Sequence, residues 1–186
     1  MLISKILYLV GKYIGDRELV ETIESNTTTS DDIKIYAPYI DLLNMVRKRL
    51  ATEYFSLKTK ETIDTVSQDV FLFENLTKPF HKLIKVTNNE KSVRFDILNN
   101  GILLPKGVYE IWYQYLPDVV NYSDTQIDDF NGKVNERIYA LGIASEYCLL
   151  NGMYDTSNYF EEKFINAINS IKTSSGFKNL PKRRWL

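Results

Sequence analysis

Hydrophobic positions at the start of the chain recur with a helical period. Leu2, Ile6, Leu9, Val10 and Tyr13 fall on one stripe, and Gly15-Asp16 punctuates it before a second short helical stretch around Arg17 to Ile23. Ser25 to Asp32 reads as a polar loop. Ser30, Asp31 and Asp32 then supply a helix start with acidic residues near the positive end of the dipole, followed by a buried stripe of Tyr39, Leu42, Leu43, Val46 and Leu50. Pro38 is expected to kink or restart that helix, because it lacks the backbone N–H that the turn before it needs.

After Tyr54 the period shortens to two. VFLF at 70–73 is a short apolar run, and Lys82 to Val86 and Ser92 to Ile97 are separated by an Asn-Asn-Glu loop. Val93, Phe95 and Ile97 alternate with Ser92, Arg94 and Asp96, which predicts a strand with one wet face. Asn99-Asn100-Gly101 and Pro105-Lys106-Gly107 predict two hairpin-like turns flanking Ile102 to Leu104. They lead into VYEIWYQYL at 108–116, with Tyr109, Ile111, Tyr113 and Tyr115 on one face and Trp112 on the other, so that both sides are expected to be largely covered.

An acidic loop, Asp118 to Asp129, returns the chain to helix. Val134, Ile138, Leu141, Cys148 and Leu149 form an apolar stripe, and the small residues Ala140, Gly142, Ala144 and Ser145 let a neighbour approach closely. Gly152 is a helix stop. Asp155 or Thr156 is expected to cap a last helix that buries Phe160, Phe164, Ile168 and Ile171 and turns Glu161, Glu162 and Lys163 to water. The predicted architecture is α+β. Helices occupy about 1–54, a meander of short antiparallel strands about 55–117, and a helical hairpin about 131–173, all in one domain spanning 1–175. Residues 176–186, GFKNLPKRRWL, form an extended tail.

Length agrees with one domain plus appendages: 186 residues bury one substantial core. With 23 basic against 24 acidic residues, no global field recruits nucleic acid or an anionic membrane, so any such binding needs a local patch. The opening MLISKILYLVGKYIG is too short for a membrane span and lacks a small-x-small cleavage site, so it reads as an amphipathic helix packed on the body. No other segment approaches a span. The single Cys148 cannot form an internal disulfide, and a buried, reduced thiol fits its apolar surroundings.

Candidate chemistry is sparse. His81 is the only histidine and has no neighbouring cysteine, so it reads as structural or merely exposed. Asp124, Asp128 and Asp129 offer carboxylates for metal-assisted hydrolysis, but their Asn- and Ser-rich surroundings read as a solvated loop. No Gly-rich phosphate cradle is present, and no cofactor is expected. The thirteen tyrosines and nine phenylalanines suit a core and, in such number, also an interface. The sharpest feature is the tail. Pro181 bars helix continuation, Lys182, Arg183 and Arg184 concentrate positive charge, and Phe177, Leu180, Trp185 and Leu186 add apolar anchors. Together these seven residues read as a partner-binding segment, since basic charge with an aromatic anchor is a combination enriched at binding hot spots.

The runs LLNMVRKRLATEYFSLKTKETIDT, FHKLIKVTNNEKSVRFDILNNGILLPKGVYEIWYQYLPD and ALGIASEYCLLNGMYDTSNYFEEKF, closed by LPKRRWL, resemble the head-tail connector (adaptor) proteins of tailed bacteriophages. The resemblance runs from about Ser30 onward. It implies a non-enzymatic virion protein at the head-tail interface, assembled in the host bacterial cytoplasm into a homo-oligomeric ring, typically a dodecamer. Such a ring docks on the portal protein ring, carries tail proteins, and lets genomic DNA pass without sequence-specific binding. The terminal docking role falls on Leu180 to Leu186. The alternatives from the residues are a nucleic-acid-binding module using the basic aromatic tail, or a hydrolase using the acidic loop 118–129.

Overall fold

The computed structural model describes residues 1–25, 32–65, 69–121, 123–127 and 130–174. Its element order is the α+β order expected: three helices, seven strands, two helices. The described chain divides into two compact units, 1–43 with 122–186, and 44–121. The hydrophobic pattern carries no mark of this division, because a single helix, α3 (Asp32–Arg49), runs through it.

The first unit is helical. α1 (Ile3–Ile14) buries Ile3, Ile6, Leu7 and Val10, a face rotated slightly from the predicted stripe so that Leu2 and Leu9 lie off it. α2 (Arg17–Ser25) buries Leu19 and Val20. Asp16 joins both helices to α3: its Oδ1 accepts from Leu19 N at 3.0 Å, capping α2, and its Oδ2 accepts from the Tyr39 hydroxyl at 2.5 Å. That bond and burial hold the Tyr39 phenol protonated far beyond its ordinary range, with burial the larger cause.

α3 does not restart at Pro38 but continues through it. The missing donor removes one hydrogen bond from the early turns, and the burial of Tyr39, Ile40, Leu42 and Leu43 directly after it holds the helix together. Ser30 and Asp31, expected to start this helix, lie outside the described residues.

α4 (Glu136–Leu150) is the centre of the helical unit, packed against α1 and α5 (Tyr154–Ser174). Every residue from Ile138 to Ser145 is buried, so the helix is enclosed on most sides rather than along one stripe. The run of small residues makes that possible, because a thin helix admits neighbours all round. Asn135 caps it, its Oδ1 accepting from Ile138 N at 3.1 Å. The chain's first residues are tied to the loop before α4: Ile3 N donates to Thr125 O at 3.0 Å and Ile127 N to Met1 O at 2.9 Å. With Val120 and Ile127 buried, the stretch 118–129 expected to be a solvated loop is partly structural.

α5 begins at Tyr154, with Ser157 N donating to Met153 O at 2.9 Å, so neither Asp155 nor Thr156 is the cap. Phe160, Phe164 and Ile168 are buried as expected. Glu161 does not face water freely: it is half-buried, with its Oε2 3.3 Å from Ser145 Oγ.

The second unit is built on two antiparallel sheets. After a π-helical turn at Leu50–Tyr54, β1 (Leu57–Thr65), β2 (Asp69–Leu72), β3 (Phe80–Asn88), β4 (Lys91–Ser92), β5 (Asp96–Leu98), β6 (Gly101–Leu104) and β7 (Gly107–Tyr115) follow. Four strands take the order β1-β7-β3-β4, and three the order β2-β6-β5. Val86, Tyr109, Ile111 and Tyr113 from the first sheet and Ile102 and Leu104 from the second form one buried core with Leu76.

Two expectations are corrected here. The strand predicted at 92–97 is two strands, β4 and β5, in different sheets. Val93 and Phe95 pack against the core in the crossing between them, while Ile97 is 65% exposed. The Pro105-Lys106-Gly107 turn is likewise not a hairpin but a crossover between sheets, stitched by the buried Thr65, whose hydroxyl donates to Pro105 O at 2.7 Å and accepts from Gly107 N at 3.0 Å. The Asn-Asn-Glu loop does make a hairpin, with Asn89 and Glu90 both at positive φ (46° and 65°) between the paired residues Asn88 and Lys91.

The ends of this unit are clamped together. Asn44 Nδ2 donates to Val120 O and Val120 N to Asn44 Oδ1, both at 2.9 Å, and the buried Arg47 donates to Asp118 O at 2.7 Å.

Candidate functional site

The turn between α4 and α5 presents apolar side chains to solvent. α4 stops because Gly152 adopts φ 73°, a conformation costly for any residue with a Cβ, and Met153 N then reaches back to Cys148 O at 2.8 Å while Gly152 N donates to Leu149 O at 3.1 Å. These bonds hold the tip in a fixed shape. On it Leu150 is 71% and Tyr154 66% exposed, with Leu149 and Met153 also exposed. Leu149, predicted to lie on the buried stripe, is therefore at the surface, although Cys148 beside it is buried. Tyr159, on the next turn of α5, is exposed too, with Lys163 Nζ 5.2 Å from its ring centroid.

Beneath the tip the two helices are locked by a reciprocal pair of buried serines. Ser157 Oγ donates to Ser145 O at 2.9 Å, and Ser145 Oγ to Ser157 O at 3.2 Å. An apolar run on a rigid support has no reactive group; what it offers is area that gains by leaving water, at small entropic cost because its backbone is already ordered.

The seven tail residues Phe177, Leu180, Lys182, Arg183, Arg184, Trp185 and Leu186 lie outside the described residues, as do Asp128 and Asp129. Asp124 and Asp118 are exposed, and Asp118 pairs with Lys78 Nζ at 2.7 Å. Among the described residues no group of three or more His, Cys, Asp or Glu is placed to hold a metal ion. Cys148 is buried, which pushes its thiol pKa up and leaves it a poor nucleophile. No described helix is long and apolar enough to cross a membrane.

His81 is exposed on the rim of an open groove of about 920 Å³ in the β unit, whose floor includes the stacked rings of Phe73 and Phe80, 3.8 Å between centroids. Behind this groove Glu61 accepts from Tyr113 Oη, from Thr77 Oγ1 at 2.5 Å and from Thr77 N. Burial acts to raise the Glu61 pKa, but these donors outweigh it and hold the carboxyl below its ordinary value. Tyr113 is pushed up to about 12, first by burial and then by its bond to Glu61. The cluster is internally satisfied and braces β1 against the 77–78 segment. Sequence reasoning missed it, because a lone Glu in a Thr-rich strand carries no signal until the strand register is known.

No family model matches this chain, and no curated protein matches it.

Proposed function

We propose that this protein is a structural subunit of the head-tail connector of a tailed bacteriophage, without enzymatic activity. It closes a ring, in this family typically a dodecamer, that docks on the portal and receives the tail, with genomic DNA passing through. The observation that carries the proposal is the exposed run Leu149, Leu150, Met153 and Tyr154, held on a rigid tip within the segment ALGIASEYCLLNGMYD, one of those by which the sequence resembles the connectors. Its occupant in this reading is a second copy of the chain. A ring repeats one weak contact around a closed circle, so a modest apolar patch per subunit is enough. Leu180 to Leu186 is the segment that engages the portal.

Native mass measurement tests both contacts. The purified protein, alone and mixed with a candidate portal ring, is expected to form a closed ring at least on the portal. A Leu150→Glu, Tyr154→Glu variant keeps its circular dichroism but loses ring closure, and deletion of Phe177 to Leu186 leaves the melting temperature nearly unchanged while abolishing attachment. A tip variant that still closes the ring, or a tail deletion that unfolds the subunit, contradicts the corresponding assignment. Metal-dependent turnover of DNA or glycan lost on Asp128→Ala, Asp129→Ala contradicts the non-enzymatic reading.

A further inference from the structure

The outward face of the four-stranded sheet carries a second surface, independent of the ring reading. Cross-strand partners share a face of a sheet, so the register sets three rows there: Lys58–Gln114–Lys82, Lys60–Trp112–Lys85 and Thr62–Glu110–Thr87. Glu110 and Asp64, which follows Thr62 on β1 opposite Val108, share this face, and Glu90 lines the same hollow, so the positive charge is concentrated in the two rows that carry Lys58, Lys60, Lys82 and Lys85. All four lysines are exposed.

This arrangement depends on an irregularity. Lys82 and Lys85 are three residues apart and would point to opposite sides of a regular strand. A register shift between Leu83 and Lys85 returns both to the outward face, opposite Gln114 and Trp112, and leaves Ile84 exposed.

At the centre is Trp112, with Lys60 Nζ 5.3 Å and Lys85 Nζ 4.5 Å from its ring centroid. The ring faces both ammonium groups over the sheet, and Lys60 also pairs with Glu110 at 3.1 Å. The indole N–H is buried and has no hydrogen-bond partner among the described residues.

We infer that this face binds the phosphodiester backbone of nucleic acid, without reading its sequence. Charge complementarity selects a polyanion. Spacing favours a backbone over a single phosphate: Lys58 and Lys60 are about 7 Å apart along β1, comparable to the separation of successive phosphates on one strand, and the lysine columns of β1 and β3 stand about 10 Å apart on either side of β7. Trp112 is half-buried under its lysines and is not a free stacking platform, so the contacts are electrostatic and sequence-independent. The site uses none of the basic residues Lys182, Arg183 and Arg184.

The test is binding of the full chain to a labelled random-sequence DNA duplex across a salt series. Each phosphate neutralised contributes about 0.9 to the slope of log K against log salt, so changing Lys58, Lys60, Lys82 and Lys85 together to Gln is expected to flatten the slope by up to about 3.6 and to weaken binding at least tenfold at low salt. The pair Lys58→Gln, Lys82→Gln, which leaves the Trp112 row intact, should give about half the change. In a Trp185→Phe background Trp112 is the sole tryptophan, and its emission should shift on adding DNA. The inference is overturned if the intact chain does not bind DNA at low salt, or if the fourfold variant keeps the full slope while deletion of Phe177 to Leu186 removes it. It is equally overturned if polyglutamate of equal charge competes as well as DNA, which would make the partner an acidic protein.

Discussion

Tyr113 donates its hydroxyl to Glu61 diagonally across the β1–β7 ladder, placing a carboxylate on the core-facing side of a sheet. Folding thereby tightens the Tyr113 proton and loosens that of Glu61. The stability this pair supplies is full between the ordinary glutamate value of 4.5 and the ordinary tyrosine value of 10. It is lost as pH falls from 4.5 through the lowered Glu61 value, and again as pH rises from 10 through about 12. Urea midpoints measured across pH should show both limbs, with Glu61→Gln flattening the acid limb and Tyr113→Phe the alkaline one. At neutral pH Tyr113→Phe should cost about 1–2 kcal/mol, as for a hydrogen bond to a partly solvated charge.

Asp16 serves two helices at once, so its removal should cost more than a cap alone. Asp16→Ala loses the Leu19 N–H acceptor and leaves the buried Tyr39 hydroxyl without it, for an expected loss of roughly 2–3 kcal/mol. A double-mutant cycle with Tyr39→Phe should recover part of that loss, and simple additivity of the two changes would disprove the link.

Phe164 is fully buried on α5. Its truncation to Ala should cost roughly 3–5 kcal/mol, read as a lowered unfolding midpoint. An unchanged midpoint would show that the cavity closes around the missing ring.

Gly101 pairs with Leu72 and Leu98 at the end of β6, where an added Cβ would lie 2.4 Å from Phe71 O and 2.9 Å from Val70 Cγ1. The first of these is backbone and cannot swing aside. Gly101→Ala is expected to cost about 1–3 kcal/mol and to lower hydrogen-exchange protection in β2 more than in β3. Equal protection in both strands would place the strain elsewhere.

The helices were the most legible part of the sequence, because a period of 3.6 with Gly15 and Gly152 as stops leaves few alternatives. Side-chain alternation was less informative for the strands: it persists across a bend, so Ser92 to Ile97 looks continuous although it passes from one sheet to the other. Leu149 has the spacing of a buried residue, but spacing cannot say where the neighbouring helices end. Trp112 was expected under a covering layer; it is half-buried, with the ammonium groups of Lys60 and Lys85 over its ring. Lys82 and Lys85 joined one face through a register shift that no periodicity contains. The clamp of Asn44 on Val120 was invisible for a related reason, since it joins positions far apart in sequence.

That clamp also bears on how the chain is made. Residues 44–121 form a unit whose two ends meet, so it is complete once Val120 has left the ribosome. α1 precedes that unit but packs on α4, which begins only at Glu136. During synthesis the apolar face of Ile3, Ile6, Leu7 and Val10 therefore waits without its partner while the strands behind it fold. A helix made before the strands is thus fully buried only after them.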